Sequence, residues 1–374
     1  MNQVEYRLAA GLLRLVGWLA RFLPRRPGRV VIATARTTRL EGNLAAIHAA
    51  IRDRRPGVEC VLLLEPYGYG LRAKLAYALR LVRGMIHVRT AGLVVVDNAW
   101  LPIHVAPHPR STTVVQVWHA VGALKRFGAD TTTGLAEPER TFLHRYYDDV
   151  VCSSEGERAA YAAALRTPVE RVLPLGAPRT DFFFDEAAMA AARGRVLAGY
   201  PALRDRKVVL CAPTFRGRGR ARTAAAAFDG RALRAGLPQG FLLVLKAHPN
   251  LGRDLSPTDG FDVVVDQDTS INELFTACDV LVTDYSSSIF EWALLHRPLV
   301  LIVPDLAAYE ADPGLYVDYR TGMIGTQVAD AAAAADAIRA GRFDLSGYDS
   351  FVAQHVGASD GRASERFVER FIPS

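Results

Sequence analysis

The sequence lacks the short motifs that mark several common enzyme classes. Among its 374 residues, no G-x-G-x-x-G follows the first strand-like segment, and no Walker lysine motif occurs. These absences exclude a dinucleotide-binding domain of that type and a P-loop enzyme. No uncharged apolar run reaches the roughly twenty residues that a membrane-spanning helix requires, so we expect any membrane contact to be peripheral.

Paired cysteines and clustered acidic residues are missing as well. The four cysteines are widely spaced, each in or beside an apolar segment, which is typical of reduced, buried thiols and not of a disulfide framework or a zinc site. One D-x-D pair, Asp266 and Asp268, occurs without a second acidic cluster. Since a metal-dependent transferase usually holds such a pair in an acidic pocket, we expect no metal and no other cofactor.

The composition is that of a globular protein with a surplus of positive charge. Half of the residues are hydrophobic and 22% are charged, and the length suits two domains better than one. The net charge of +6 favours anionic partners: phosphorylated substrates, nucleic acid or an acidic membrane face. Because no RNA-binding signature or aromatic-interleaved basic patch occurs, we expect no nucleic-acid partner.

The N-terminal segment predicts an amphipathic helix over residues 4–23. Its apolar side chains recur at helical spacing, and arginines recur every seven residues beside them, with Trp18 near the apolar side. A basic amphipathic helix with a tryptophan is typical of membrane-interface segments, although a helix packed on the protein's own core has the same periodicity. We favour the membrane interpretation because two more arginines follow. The predicted apolar face consists of Leu8, Leu12, Leu15, Leu19 and Phe22.

From residue 29 onward, apolar strand-like runs alternate with helical segments, which predicts an α/β fold with mostly parallel sheets. The alternation is interrupted by the linker GAPRTD at residues 176–181 and then begins again. We therefore predict three parts: an amphipathic helix at residues 1–27, a Rossmann-like domain at 28–180 and a second one at 181–374. The predicted strands are 30–35, 58–64, 93–97, 114–118, 149–153 and 172–175 in the first half, and 207–211, 241–245, 263–265, 280–282 and 298–303 in the second.

Polar side chains follow several of these strands. The longest polar run, residues 283–288, contains four hydroxyl side chains, a carboxylate and a tyrosine between a strand and a helix. Helix capping needs only one such residue, so we interpret the run as an anion site at the carboxyl end of a strand. Cations, histidines or hydroxyls follow three other predicted strands: His119 with Gly122 and Lys125, Thr214 with Arg216, and Lys246 with His248. Each cluster is weak evidence alone, but together they indicate a phosphate-bearing substrate.

The same motifs, in this order, resemble one known family. WHAVGALKRFG, GAPRTD, APTFRG, LKAHPN and TDYSSSIFEWALLHRPLVLIVPDLAAYE are similar to motifs of the CDP-glycerol glycerophosphotransferases of teichoic acid and capsule synthesis, over residues 30–318. The resemblance implies two Rossmann-like domains facing across a cleft, the GT-B type of α/β fold. It also implies a peripheral protein on the cytoplasmic face of the cell membrane. The implied reaction transfers glycerol phosphate, or a related polyol phosphate, from a CDP-activated donor to a hydroxyl of a lipid-linked or glycan acceptor, with release of CMP.

The resemblance also assigns roles to single residues. His119 matches a general base in the acceptor domain, and His248 matches a histidine that binds or protonates the donor diphosphate. Thr214 and Arg216 match a donor-binding turn, and Glu291 is placed for a ribose hydroxyl. The full set of implied substrate-binding residues is Gly122, Lys125, Arg179, Thr214, Arg216, Lys246, Asp284, Tyr285, Ser286, Ser287, Ser288 and Glu291.

Several alternatives remain open at the level of sequence. The family's common HGTPLK is HAVGALK here, which leaves the acceptor undefined, and the donor polyol, the number of units added and the oligomeric state are open too. A GT-B glycosyltransferase that uses a nucleotide sugar is the alternative function. The two differ in their leaving group, since a glycosyltransferase releases a nucleoside diphosphate and a polyol-phosphate transferase releases a nucleoside monophosphate.

Overall fold

Segments rich in valine, leucine and isoleucine form two parallel six-stranded sheets, each in its own unit. The computed structural model describes residues 3–64, 70–131, 143–216, 223–224, 227–247 and 258–373. Residues 1–181 and 354–374 form unit 1, and residues 182–353 form unit 2. The predicted alternation of strands and helices is confirmed in both.

The sheet of unit 1 has the strand order β2-β1-β3-β4-β5-β6, and all its strands are parallel. The order reverses between β1 and β3, as in flavodoxin-like folds. The strands are β1 (Arg26–Thr34), β2 (Glu59–Leu64), β3 (Ala91–Val96), β4 (Thr113–Gln116), β5 (Asp149–Val151) and β6 (Val172–Leu173). The helices are α1 (Gln3–Ala20), α2 (Gly42–Arg54), α3 (Leu71–Thr90), α4 (Leu101–His104) and α5 (Arg158–Leu165).

Apolar residues on both faces of this sheet are buried, as expected for parallel strands covered by helices on both sides. Val30 and Ile32 of β1 pack with α2 through Leu44 and Ile47. Their neighbours on the opposite face of the strand pack toward α3 and the α4 region. Strands that are apolar throughout are therefore central in the sheet, and their polar continuations emerge at its edge.

The main sheet of unit 2 has the order β11-β10-β7-β12-β13-β14, again with all strands parallel. Counted within the unit, and apart from the antiparallel pair β8–β9, this is the dinucleotide-fold order 3-2-1-4-5-6, which reverses between β7 and β12. The strands are β7 (Lys207–Cys211), β8 (Phe215–Arg216), β9 (Thr223–Ala224), β10 (Phe241–Leu245), β11 (Val263–Val264), β12 (Val280–Thr283), β13 (Leu299–Ile302) and β14 (Thr326–Val328). The helices are α6 (Glu186–Gly199), α7 (Gly230–Gly236), α8 (Ile271–Phe275), α9 (Ser288–Ala293), α10 (Leu306–Ala311), α11 (Ala331–Arg339) and α12 (Tyr348–Val356).

The C-terminal segment departs from the predicted domain boundaries. The second domain was predicted to extend to residue 374, but residues 354–374 belong to unit 1. The cause is the last helix, α13 (Ala363–Phe371), whose Phe367 and Val368 are fully buried with Ile47 of α2. Asp181 accepts hydrogen bonds from the backbone nitrogens of the first residues of α13, at 2.9 and 2.8 Å. Apolar burial and helix capping thus hold the chain end on unit 1.

The N-terminal helix has two apolar faces. One face is buried: Tyr6, Ala10 and Leu13 pack against Leu81 and Met85 of α3. This contact fulfils the core-packing alternative, but it uses residues that the sequence pattern did not mark. The predicted apolar face points away, and its side chains are 46% to 70% exposed: Leu8, Leu12, Leu15, Leu19 and Phe22. Among the described residues, no helix is both long and apolar enough to cross a membrane.

Candidate active site

A buried carboxylate marks the point in unit 2 where the strand order reverses. Asp284 directly follows β12 and is fully buried. Its two oxygens accept hydrogen bonds from the backbone nitrogen and the hydroxyl of Thr214, at 2.9 and 2.8 Å, and from Nη1 of Arg216, at 2.8 Å. Thr214 and Arg216 follow β7, the neighbouring strand. The structure therefore brings together three of the predicted residues at the position where open α/β sheets bind ligands.

Arg216 is an ion-paired residue. Besides Asp284, its guanidinium binds Asp305, with Nε 2.7 Å from Oδ2. Burial acts against the charge of Arg216, but the hydrogen bonds and charges of Asp305 and Asp284 outweigh it, so its pKa is raised. The side chain also lies over the rings of Tyr285 and Tyr309, which stack at 3.8 Å. Two carboxylates thus fix a side chain that the sequence had assigned to phosphate.

Asp305 and Tyr309 were not predicted as site residues. Asp305 lies three residues beyond the end of β13, Asp284 directly follows β12, and these two strands are adjacent. It also accepts a hydrogen bond from the hydroxyl of Tyr285, at 3.1 Å. The carboxyl ends of adjacent parallel strands meet at one sheet edge, so an acidic residue just after β13 was the signal that could have identified it.

The serines after Asp284 lie at the start of α9. The Oγ atoms of Ser286 and Ser288 are 2.8 Å apart, and Ser286 and Ser287 are partly exposed. Glu291, one turn further along the helix, is buried at 3% exposure. Ser286 and Ser287 are therefore the residues of this run that are partly exposed to solvent, whereas Asp284 and Tyr285 are fully buried.

Lys246 follows β10 and is buried. Its Nζ donates hydrogen bonds to the backbone oxygens of Asp266 and Gln267, at 2.9 and 2.6 Å. Burial lowers its pKa to about 8, against the opposing charges of Asp268 and Asp266. Lys246 therefore ties the end of its strand to the turn that contains the D-x-D pair. His248 lies outside the residues that the structure describes, and its predicted role stays a prediction.

His119 stands beyond β4 in unit 1. Its Nδ1 is 3.3 Å from the backbone oxygen of Asp97, the residue after β3. Burial, and after it the positive charge of Arg36, lower the pKa of His119 to about 3. The hydrogen bond with the Asp97 carbonyl raises this pKa, and the charge of Arg179 lowers it slightly further. The imidazole is therefore neutral at pH 7. A carbonyl only accepts hydrogen bonds, so Nδ1 carries the ring proton and Nε2 is the basic nitrogen.

Buried side chains hold the backbone around His119. Trp118 has a positive φ of 48°, which a bulky residue adopts only where its surroundings impose it. Gln116 accepts a hydrogen bond from the nitrogen of Trp118 at 2.8 Å, and Asn43 donates one to its oxygen at 2.9 Å. Arg179 donates to the oxygen of His119 at 3.1 Å. Gly122 is buried in the same loop and Lys125 is partly buried after it.

Asn43 and Gln116 are further residues that the sequence analysis missed. Asn43 also accepts a hydrogen bond from the nitrogen of Arg179, at 3.0 Å, so it links α2, the loop that contains His119 and the GAPRTD segment. Its position on a helix far from the motifs gave no sequence signal. Gln116, by contrast, is a fully buried polar residue in an apolar strand, an exception to the strand pattern that could have been noticed.

No group of three or more His, Cys, Asp and Glu side chains that could hold a metal ion occurs within the described ranges. The chemistry available to these residues is proton transfer at His119 and hydrogen bonding to anionic groups near Asp284. Both suit an attack by a hydroxyl group on a phosphate ester.

Comparison with known proteins agrees with this chemistry. The family model of CDP-glycerol:poly(glycerophosphate) glycerophosphotransferase matches residues 17–372. The teichoic acid poly(ribitol-phosphate) polymerase of Bacillus spizizenii (strain W23) is 31% identical over 377 residues, which cover 99% of this chain and 60% of that protein. The teichoic acid ribitol-phosphate primase of the same strain is 30% identical over 369 residues, which cover 95% of this chain and 94% of the primase. The chain thus spans under two thirds of the polymerase and nearly all of the primase.

The fold agrees as well. The solved structure of the wall teichoic acid polymerase TagF has a TM-score of 0.76 to this chain at 18% identity, with 99% of this chain and 97% of that chain covered. At that identity the likeness concerns the fold, and the predicted pair of Rossmann-like units is confirmed. The predicted enzyme class, a transferase of substituted phosphate groups, is confirmed by the family model, and a nucleotide-sugar glycosyltransferase is not favoured. The chain belongs to the CDP-glycerol:poly(glycerophosphate) glycerophosphotransferase family.

Proposed function

We propose that this enzyme transfers ribitol phosphate from a CDP-activated donor to a hydroxyl of a membrane-linked acceptor, in synthesis of a teichoic-acid-type polymer, and releases CMP. The choice of ribitol is supported by the two relatives described above, both of which are named for ribitol phosphate. Glycerol phosphate, after which the family is named, is the alternative donor group.

The observation that carries this proposal is the neutral His119. With Nδ1 engaged by the Asp97 carbonyl, Nε2 is oriented to accept the proton of an acceptor hydroxyl. The hydroxyl oxygen then attacks the phosphorus of the polyol phosphate, a new P–O bond forms, and the bond to the CMP oxygen breaks.

The donor is assigned to unit 2, and the acceptor to unit 1. Asp284, Thr214 and Arg216 form a hydrogen-bonded cluster at the strand ends, and Ser286 and Ser287 follow it in the chain with hydroxyls that can donate to phosphate oxygens. Asp284 and Asp305 counter the charge of Arg216, so we assign to Arg216 the structural role of holding this cluster together. Phosphate contacts are assigned to the serines, and diphosphate protonation to His248.

A nucleotide-release assay tests the proposal. Purified full-length protein is incubated with vesicles that carry lipid-linked acceptor and with CDP-ribitol, CDP-glycerol or a UDP-sugar, one at a time. We expect CMP release with CDP-ribitol, slower release with CDP-glycerol, and an acceptor mass increased by whole ribitol phosphate units. Release of UDP from the sugar donor, with no CMP from either polyol donor, would contradict the assignment.

We further propose that the exposed face of α1 docks the enzyme on the membrane surface. Leu8, Leu12, Leu15 and Leu19 of that face recur at helical spacing, Phe22 lies just beyond the end of the helix, and Trp18 lies beside them at 49% exposure. The guanidinium of Arg21 lies 4.7 Å from the Trp18 ring centroid, where it can pair with an anionic headgroup while the rings enter the interface. A membrane-linked acceptor would thereby be reached from the cytoplasmic face.

Two acidic substitutions on this face are expected to release the protein from vesicles. In L15E/L19E, two leucines that are 55% and 51% exposed become charged. Because burying one leucine contributes about 1.5–3 kcal/mol, we expect binding to anionic vesicles to fall at least tenfold in co-sedimentation, with activity on a soluble acceptor retained. The control is L345E, at a leucine of similar exposure (52%) in unit 2. Equal vesicle binding by wild type and L15E/L19E would refute the docking face.

A further inference from the structure

The loop that follows His119 is held by a buried carboxylate that the reaction itself does not use. Oε2 of Glu157 accepts a hydrogen bond from the backbone nitrogen of Ala123, at 2.7 Å. Glu157 lies just before α5 and is only 3% exposed. Ala123 is four positions beyond His119, and both belong to the segment HAVGALK. Glu157 therefore fixes the far end of the loop whose near end is fixed by Gln116 and Asn43.

The other oxygen of Glu157 binds the C-terminal segment. Oε1 lies 2.5 Å from Nδ1 of His355. Around this pair, Ser153 donates to the backbone oxygen of His355 at 2.5 Å, and Ser154 donates to that of Gln354 at 2.6 Å. A Cβ atom on Gly156 would come within 2.4 Å of the Gln354 oxygen, so no larger residue fits at that position. The chain end is thus seated closely on the turn that carries Glu157.

We propose that Glu157 and His355 are positioning residues for the reaction: through Ala123, the pair couples the C-terminal segment to the loop that orients His119. The inference rests on the proposed function, because it assumes that His119 is the base. It gives residues 354–374 a role in catalysis besides the apolar packing of α13.

The chemistry of the pair explains why both partners are required. A carboxylate buried this deeply is stable only when hydrogen-bonded or paired with a positive charge. Ala123 supplies one hydrogen bond to the carboxylate, and the His355 ring supplies the second. Without His355 one buried carboxylate oxygen would lose this partner, and the side chain would move toward solvent. Its hold on Ala123, and on the backbone between Ala123 and His119, would then weaken.

A double-mutant cycle in the full-length enzyme tests the coupling. We expect H355L to lower kcat for ribitol phosphate transfer at least tenfold, since it strands the Glu157 charge. E157Q is expected to lose less than fivefold, because an amide can accept from Ala123 through its oxygen and donate to a neutral His355 through its nitrogen. In the E157Q background, H355L should cost less than threefold more. Additive losses in the cycle would overturn the proposal.

Two further readouts separate positioning from mere stability. The KM for the CDP-donor should stay within twofold in each variant, since the donor is assigned to unit 2. The acid limb of kcat/KM should move to higher pH in H355L. A loosened loop exposes His119 to water, and this raises its pKa even though the charges of Arg36 and Arg179 remain nearby. G156A should act in the same direction without touching the pair. A donor KM that rises in parallel with the loss of kcat, or an unmoved acid limb, would argue against positioning.

The control is E155Q, at a side chain that is 72% exposed and forms a local ion pair with Arg158; it should match wild type. If wild type itself releases no CMP from any CDP-polyol, the proposed function fails. If wild type is active and H355L keeps its kcat, only the coupling fails.

Discussion

Substituting His119 with glutamine is expected to lower kcat for polyol-phosphate transfer by about 10²–10⁴-fold, the range that general base catalysis contributes. Glutamine keeps a polar side chain beside the Asp97 carbonyl. It can also pack against the Trp118 ring, whose centroid lies 4.3 Å from the centroid of the imidazole. It has no nitrogen that takes up a proton near neutral pH. The donor KM should change little, because donor contacts are assigned to unit 2. CMP release at saturating donor and acceptor measures the loss.

The pH profile of the wild type provides an independent check on His119. An ordinary histidine has a pKa of about 6.5, and a base of that kind would lose activity as the pH falls below 7. Burial and the charge of Arg36 lower the pKa of His119 to about 3, so the unprotonated, competent form persists to much lower pH. The value of kcat/KM should therefore show no acid limb near pH 6.5. An acid limb at that pH, abolished in H119Q, would contradict the lowered pKa but keep the base.

A matched histidine guards against nonspecific effects. His296 is exposed, with 49% of its side chain accessible, and it has a positive φ of 51°, which asparagine tolerates. H296N should retain wild-type kcat. If H119Q retains wild-type kcat as well, His119 is not the base, and a different group must take the proton of the acceptor hydroxyl.

The sequence predicted the fold well because both sheets are parallel. A parallel strand is buried on both faces, so it reads as a short apolar run, and the polar residues after it must lie at the carboxyl edge of the sheet. Segments such as 207–211 and 241–245 were predicted with the boundaries that the structure has. The same logic placed Thr214 and Asp284 at one sheet edge, where they bind each other.

What the sequence could not predict depends on pairings between distant segments. Arg216 looked like a free phosphate ligand, but its partner Asp305 lies 89 residues further along the chain. The periodicity of α1 marked the exposed leucines, whereas the packing face combines Leu13 with Tyr6 and the small Ala10, so apolar side chains occur on both faces and periodicity alone did not show which face is buried. The last helix had an apolar face, but nothing local indicated which sheet it covers.

The loop that contains His119 shows the same limit on a smaller scale. Its histidine was found from its position after a strand, but its orientation depends on Asn43 and Glu157, which belong to other elements. A buried side chain that binds backbone atoms has no motif of its own, since its role is set by the geometry of a distant turn. The positioning residues of an active site are therefore harder to predict than its reacting groups.

The largest combined effect on stability and donor binding is expected at Asp284. In D284N, the new amide NH₂ faces either the backbone nitrogen of Thr214 or the Thr214 hydroxyl and the Arg216 guanidinium, so a donor meets a donor in both orientations and the buried negative charge that pairs with Arg216 is lost. Breaking a buried ion pair on one side typically costs 3–5 kcal/mol, so we expect the free energy of unfolding of unit 2 to fall by about 3 kcal/mol. Urea denaturation monitored by a probe in unit 2 measures the change.

The same substitution should weaken binding of the CDP-donor at least tenfold, because the serines assigned to phosphate lie two and three residues after Asp284 and a shift of its backbone would move them. D305N serves as the graded control: the Asp305 side chain is 36% exposed, and exposed ion pairs contribute only about 0–1 kcal/mol. Since Asp305 also accepts a hydrogen bond from Tyr285, its loss should loosen the stack of Tyr285 on Tyr309 more than the hydrogen bonds between Asp284 and Thr214. If D284N and D305N destabilise unit 2 equally and neither alters CDP-donor binding, the buried carboxylate does not organise the donor site, and the phosphate contacts must be sought around His248.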